Sequence, residues 1–131
     1  MLPNDTMVTA AQRAARKAIE RSYTGVCTIL ERRDVRDERT KITRKNAEVV
    51  LVEKQPCKLS FERLTAAAQT ETAAMIAQGA TLFLAPEIAV KPGSKIIVEQ
   101  NGVTTAYAAS GVPAVYASHA EIPLQLFEGW A

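Results

Sequence analysis

The chain has 131 residues, the size of one domain, able to bury one core of roughly two-thirds of its unfolded surface but not two. Its 47% apolar and 23% charged residues exclude wholesale disorder, and a net charge of +2 by itself singles out no partner. Aromatic residues are only 5%, which leaves the core to Val, Ile, Leu and Ala.

The distribution of charge says more than its sum. Residues 1–45 carry eleven Lys/Arg and six Asp/Glu, whereas residues 46–131 carry five and eight. Such asymmetry suits a neighbour in an assembly or a polyanion. Acids are mixed into the basic part, which favours a protein neighbour over sequence-specific DNA. The start, MLPNDTMV, has neither the basic region nor the apolar run of a signal peptide. No stretch approaches the ~18–20 apolar residues that span a bilayer. A protein made and used in a cytoplasm, or in something assembled there, is expected, with no membrane partner.

In chain order, residues 5–21 read as a helix, with Asp5 or Thr6 as cap. Met7, Ala11, Ala14, Ala15, Ala18 and Ile19 form its Ala-rich stripe, and Arg13, Arg16, Lys17 and Arg21 lie off it. So few large side chains bury weakly, and the segment reads as an appended arm over residues 1–24. Residues 25–131 read as the β domain. In the first strand, 25–33, Val26, Thr28 and Leu30 alternate with Cys27, Ile29 and Glu31. Residues 34–45 are dense in both charge signs, as a solvated connection or the exposed end of a hairpin would be. Two further strands are expected at 47–53 and 56–62, with Pro56 at a strand start or an edge because it cannot donate to a ladder.

Residues 64–79 change character, being rich in Ala, Thr and Gln. They read as a short helix or a long excursion between strands. The β pattern returns at 80–85. Lys91-Pro92-Gly93-Ser94 carries the Pro-Gly of a type II turn. Residues 95–100 and 103–109 flank Asn101-Gly102, a type I′ hairpin signal, with Ile96 and Val98 on one face. Residues 114–118 and 121–127 close the set, Pro123 marking the last as an edge. Short strands with turns between them point to a mainly β fold, a small barrel or sandwich with an N-terminal helix and a long inserted loop.

Residues that could carry chemistry are few. His119 is the only histidine and lies in Ser118-His119-Ala120 with no nucleophile elbow beside it, so it reads as a polar turn or subunit contact. Cys27 and Cys57 lack the CxxC or Cys/His company of a zinc site and read as small, reduced core residues. Glu62 and Glu71 flank the Ala/Gln stretch without a visible cleft between them. Gly93 and Gly102 are explained by turns. Phe61, Phe83, Tyr107 and Tyr116 are dispersed and read as core or half-buried strand residues, unlike the clustered aromatics of a nucleic-acid sheet. No catalytic residue, metal or cofactor is expected.

Three stretches carry a resemblance: PCKLSFE (56–62), TLFLAPEIAVKPGSKIIVEQNG (81–102) and YAASGVPAVYASHAEIPLQLFEGWA (107–131). Their pattern of structural residues, over about 25–131, resembles the head–tail connector proteins of tailed bacteriophages and prophages, in particular the small head-completion or stopper proteins. The resemblance implies a β-barrel of which many copies form a ring in the virion neck. That ring would have portal and adaptor proteins above, tail or tail-terminator proteins below, and DNA passing non-specifically through its channel. It implies a place at the head–tail junction, reached from the host cytoplasm during assembly. In such a ring the arm residues Ala11, Ala14, Ala15, Ala18 and Ile19 would meet a subunit or partner. Residues 64–79 would face the channel or a neighbouring subunit. Gln69, Thr70, Thr72 and Gln78 would face the channel, where neutral side chains avoid gripping phosphates, or the segment is an ordinary subunit contact or surface loop. Two other readings remain open: a small OB-like nucleic-acid-binding module, favoured by the basic N-terminal part, and a small enzyme, which lacks the constellation it would need.

Overall fold

The computed structural model describes residues 9–63 and 78–130. Among these residues, one helix, α1 (Ala10–Glu20), precedes seven strands: β1 (Gly25–Arg36), β2 (Thr43–Arg63), β3 (Gln78–Leu84), β4 (Lys95–Gln100), β5 (Val103–Ala109), β6 (Ala114–Val115) and β7 (Ala120–Leu126). All pairings are antiparallel, in the order β3-β2-β1-β4-β5-β7-β6, and a further β3–β7 pairing closes the sheet on itself. Closure removes the open edges that an isolated sheet would present.

The interior follows from the two-residue period of the strands. Cys27 and Ile29 of β1, Cys57 and Leu59 of β2, and Leu82 and Leu84 of β3 point inward and are buried. So do Ile96 and Val98 of β4, Tyr107 and Ala109 of β5, and Ile122 and Leu124 of β7. Aliphatic side chains dominate, as the low aromatic content requires. In β1 the alternation breaks once: Ile29 and the adjacent Leu30 are both buried. The register shifts there, Ile29 pairing with Val52 and Leu30 with Val50, which is the signature of a bulge.

Both expected turns form. Asn101 and Gly102 have φ of 54° and 76°, the two left-handed residues of a type I′ turn, and Gln100 pairs with Val103 across it. Gly93 has φ of 88°, and Ser94 N donates to Lys91 O at 3.1 Å. The charged segment 34–45 is an ordered hairpin end: β1 runs on to Arg36, and Asp37 Oδ1 accepts from Arg39 N at 2.9 Å inside the turn.

Several sequence expectations need correction. The helix cap is Thr9, not Asp5 or Thr6: Thr9 Oγ1 accepts from Gln12 N at 3.1 Å while Gln12 Oε1 accepts from Thr9 N at 2.9 Å. The strands expected at 47–53 and 56–62 are one strand, β2, of 21 residues. Lys54, with φ of 51°, takes up the irregularity within it. Pro56 is therefore inside a strand, and Pro123 lies on no outer edge, since β7 is paired on both sides.

The two prolines share one physical reason. β2 pairs with β1 as far as Cys57 and with β3 from Cys57 onward, so Pro56 sits where the strand changes partner. On β7, β6 covers Ala120 and Glu121 while β5 covers Leu124 to Leu126, and Pro123 falls between them. A residue without an N–H is tolerated where the ladder is already interrupted. The expected excursion at 64–79 gives up its last two residues to β3, which starts at Gln78.

A second consequence of the partner change is a side chain that acts as a piece of strand. Beyond Cys57, β2 has left β1 behind. There Gln100 Oε1 accepts from Leu59 N at 2.9 Å, and Gln100 Nε2 donates to Leu59 O at 3.0 Å. Gly25 makes room for this amide: a Cβ on it would lie 3.1 Å from Gln100 Oε1 and 3.1 Å from Glu99 O.

Candidate functional site

The closed sheet carries two appendages. The first is α1. None of its residues is buried; Ala11, Ala14, Ala15 and Ala18 are exposed and Ile19 is half-buried. The arm touches the body through Arg16, whose guanidinium bonds Glu20 within the helix and Glu87 in the β3–β4 connection. This guanidinium holds the Glu87 carboxyl below its ordinary value. At the arm's root the Tyr23 hydroxyl is buried without a hydrogen-bond partner among the described residues. Burial first, and Glu20 second, push that phenol above its ordinary value.

The second appendage is the ribbon of β1 and β2. β4 pairs with β1 only from Val26 to Leu30, so Glu31–Arg36 and the facing Thr43–Val49 extend as a two-stranded hairpin. Most of its side chains are exposed, Glu31, Val35, Ala47 and Val49 being half-buried, and Val50 and Leu51 at its base are exposed as well.

Where the ribbon leaves the sheet, a groove of about 520 Å³ opens between it and the Lys91–Ser94 turn. Arg32, Arg33, Asn46, Lys91, Ser94 and Trp130 line it, together with Glu31. Trp130 is fixed from three sides. Its Nε1–H donates to Glu48 Oε2 at 3.1 Å, Phe127 meets it edge-on at 5.3 Å, and the Arg32 guanidinium lies 5.8 Å over its ring. Arg32 Nε also donates to Asn46 O at 2.9 Å. Sequence reading missed this cluster. The Arg32-Arg33 pair read as part of a mixed-charge run, Lys91–Ser94 read as a turn alone, and only the sole tryptophan, near the far end of the chain, signalled it.

His119 is built into a small polar network. Ser118 Oγ is 2.8 Å from Nδ1, and Nε2 is 2.8 Å from Glu121 Oε2. Tyr116 stacks on the ring at 5.0 Å, Phe83 tilts against it at 5.6 Å, and Tyr116 N donates to His119 O. A serine, a histidine and a carboxylate thus meet within three residues of the chain. Both ring nitrogens are engaged in closing the β6–β7 turn, which accords with the turn contact expected of this histidine.

Cys27 and Cys57 are buried free thiols on neighbouring strands, Cys57 pairing with Gly25 and Cys27 with Gln55. The hydrogen bond to Cys57, with burial, pushes the Cys27 thiol up, while the same bond pulls the Cys57 thiol down. Among the described residues no group of three or more His, Cys, Asp or Glu could hold a metal ion, and no helix is long and apolar enough to cross a membrane. Of the dispersed aromatics, Tyr107 is buried and Phe83 half-buried, but Phe61 and Tyr116 are 51% and 52% exposed, contrary to the core or half-buried position expected of them. Phe61 shares the inward phase of Cys57 and Leu59 but lies near the end of β2, and Tyr116 follows the two-residue β6 into a turn. Of the residues expected to face a channel, Gln69, Thr70 and Thr72 lie outside the described residues, as does Glu71. Gln78 is the first residue of β3.

No family model matches the chain, and no curated protein matches it. A similar solved structure is the phage-like element PBSX protein xkdH from Bacillus subtilis, at 12% identity and a TM-score of 0.45, covering 79% of this chain and 93% of that one. A likeness of that size carries nothing further.

Proposed function

We propose that this protein is a structural subunit of a tailed-phage neck, and that its copies form a ring joining the portal and adaptor of the filled head to the tail. The observation that carries the reading is α1: a capped helix with an Ala-rich stripe and no buried residue, whose Arg16 bonds Glu87 on its own body. An ordered helix that buries little at home gains stability from a neighbour, because a short isolated helix is marginal in water. Ala11, Ala14, Ala15 and Ala18 allow that neighbour to approach closely. The ribbon supplies a second exposed surface, and the sequence pattern of residues 56–62, 81–102 and 107–131 supplies the resemblance to connector proteins. Enzymatic function has no support beyond the Ser118–His119–Glu121 network, whose bonds are accounted for by the turn.

Deleting residues 1–22 tests this. The truncated chain is expected to melt at nearly the same temperature as the full chain yet fail to enter particles or rings, read by sedimentation velocity and by its presence in purified virions. Unfolding of the truncated chain would place the arm in the core and overturn the assembly role. Normal incorporation would do the same.

A further inference from the structure

We propose that the groove between the ribbon and the Lys91–Ser94 turn is a binding site for a phosphate group, either free or in the backbone of a nucleic-acid strand. Three cations, Arg32, Arg33 and Lys91, line it against one carboxylate, Glu31. Glu31 lies 3.5 Å from Arg33, a loose pair that leaves the guanidinium available. Glu48, the other acid close by, is already shared by Trp130 Nε1 and by Lys95 Nζ at 3.6 Å. Lys91 forms no ion pair among the described residues.

Arg32 is oriented before any ligand arrives. Its Nε is committed to Asn46 O and its plane to the Trp130 ring, which leaves the two terminal nitrogens as a fixed fork. A planar fork held in place loses little freedom on binding and matches the paired oxygens of a phosphate. A second observation points the same way. Ser94, 3% exposed and lining the groove, has a hydroxyl with no hydrogen-bond partner among the described residues. A buried hydroxyl left unpaired is costly and marks a place where a further acceptor or donor is wanted. The volume lies within the roughly 300–1,000 Å³ of small-ligand sites.

A phosphate fits better than a carboxylate. It offers more oxygens to the cations that line the groove and, in a strand, a second charge beside the first. This groove would bind phosphate whether or not the chain forms a ring, and truncating the arm should leave it intact.

Trp130 is the only tryptophan, so its fluorescence reads the groove directly. Full-length protein at low salt is titrated with inorganic phosphate, with oligothymidylate and with polyglutamate. A saturable change is expected with one of the first two. Oligothymidylate alone identifies a strand backbone as the source; inorganic phosphate at matching phosphate concentration identifies a free group. Lys91→Gln combined with Arg33→Gln should weaken binding on the order of tenfold or more. It should also flatten the salt dependence by about 0.7 for each strand phosphate released. Arg39→Gln, at the hairpin tip, should leave affinity unchanged, and melting temperatures confirm that all variants fold. Silence with both phosphate ligands, an equal response to polyglutamate, or an equal loss in Arg39→Gln overturns the site.

Discussion

The closed sheet and its two appendages follow opposite rules. Inside the sheet, Ile29, Leu82, Leu84, Ile96 and Ile122 are fully buried, and β3 and β4 are paired on both sides over most of their length. In α1 and the outer ribbon most side chains are exposed, and much of the order comes from local bonds: a capping box, an i,i+4 ion pair and a turn organised by Asp37. The difference separates what makes this chain fold from what it offers to others. Burial supplies the free energy of the sheet, while the appendages are ordered by short-range geometry and leave their surfaces open.

The sharpest way to break this contrast is to cut into the core. Ile122→Ala removes a fully buried side chain from β7, the strand that closes the sheet. A loss of about 2–5 kcal/mol is expected from denaturant unfolding. A change under about 1 kcal/mol would mean that the interior is less tightly packed than the burial of Ile122 implies.

Next in size is Gln100→Ala, which strips Leu59 of both amide partners at the place where β2 has parted from β1. An unpaired, partly buried N–H and C=O should lower stability by about 1–3 kcal/mol. Amide exchange at Leu59 should accelerate more than at Ile96. Equal acceleration at both would mean a global effect and would remove the strand-surrogate role.

Gly102→Val should cost about 1 kcal/mol or somewhat more. Nothing lies within 4 Å of the added Cβ, so the penalty comes only from holding a β-branched residue at φ of 76°. An unchanged melting temperature would count against the type I′ turn.

The smallest effect belongs to the arm. Glu87 is held below its ordinary carboxyl value by Arg16, so the ionised pair favours the attached arm above that value. The contribution is lost as pH falls through the lowered value. Amide protection in α1 should therefore decline below about pH 4.5, the ordinary value, while that of the sheet persists. Glu87→Gln should abolish this pH dependence. A response that survives the substitution would show that another group attaches the arm.

How much was legible in the sequence can be argued from the same residues. Asn101-Gly102 and Pro92-Gly93 declared their turns, because positive φ is a local demand that few residues meet. The alternation of β4 put Ile96 and Val98 on one face without reference to any partner. The arm's exposure followed from its composition, since alanines have little to bury. By contrast, Pro56 was misread as opening a separate strand and Pro123 as marking an outer edge. Whether a missing N–H matters depends on which neighbour is present at that residue, and only the partner changes of β2 and β7 decide it. The cap fell to Thr9 instead of Asp5 or Thr6 because a capping box needs Gln12 three residues on, a pairing that the helical stripe does not reveal. The groove was beyond reach of local pattern: Arg32, Lys91 and Trp130 are far apart in the chain and meet only because β1, the β4 turn and the C-terminal tail converge. Period and turn chemistry are properties of neighbours in sequence, so the sequence alone determined the mainly β class, the hairpins and the exposed helix. Closure of the sheet, the roles of its prolines and Gln100, and the clustering of cations around Trp130 are properties of neighbours in space, and the tertiary structure decided them.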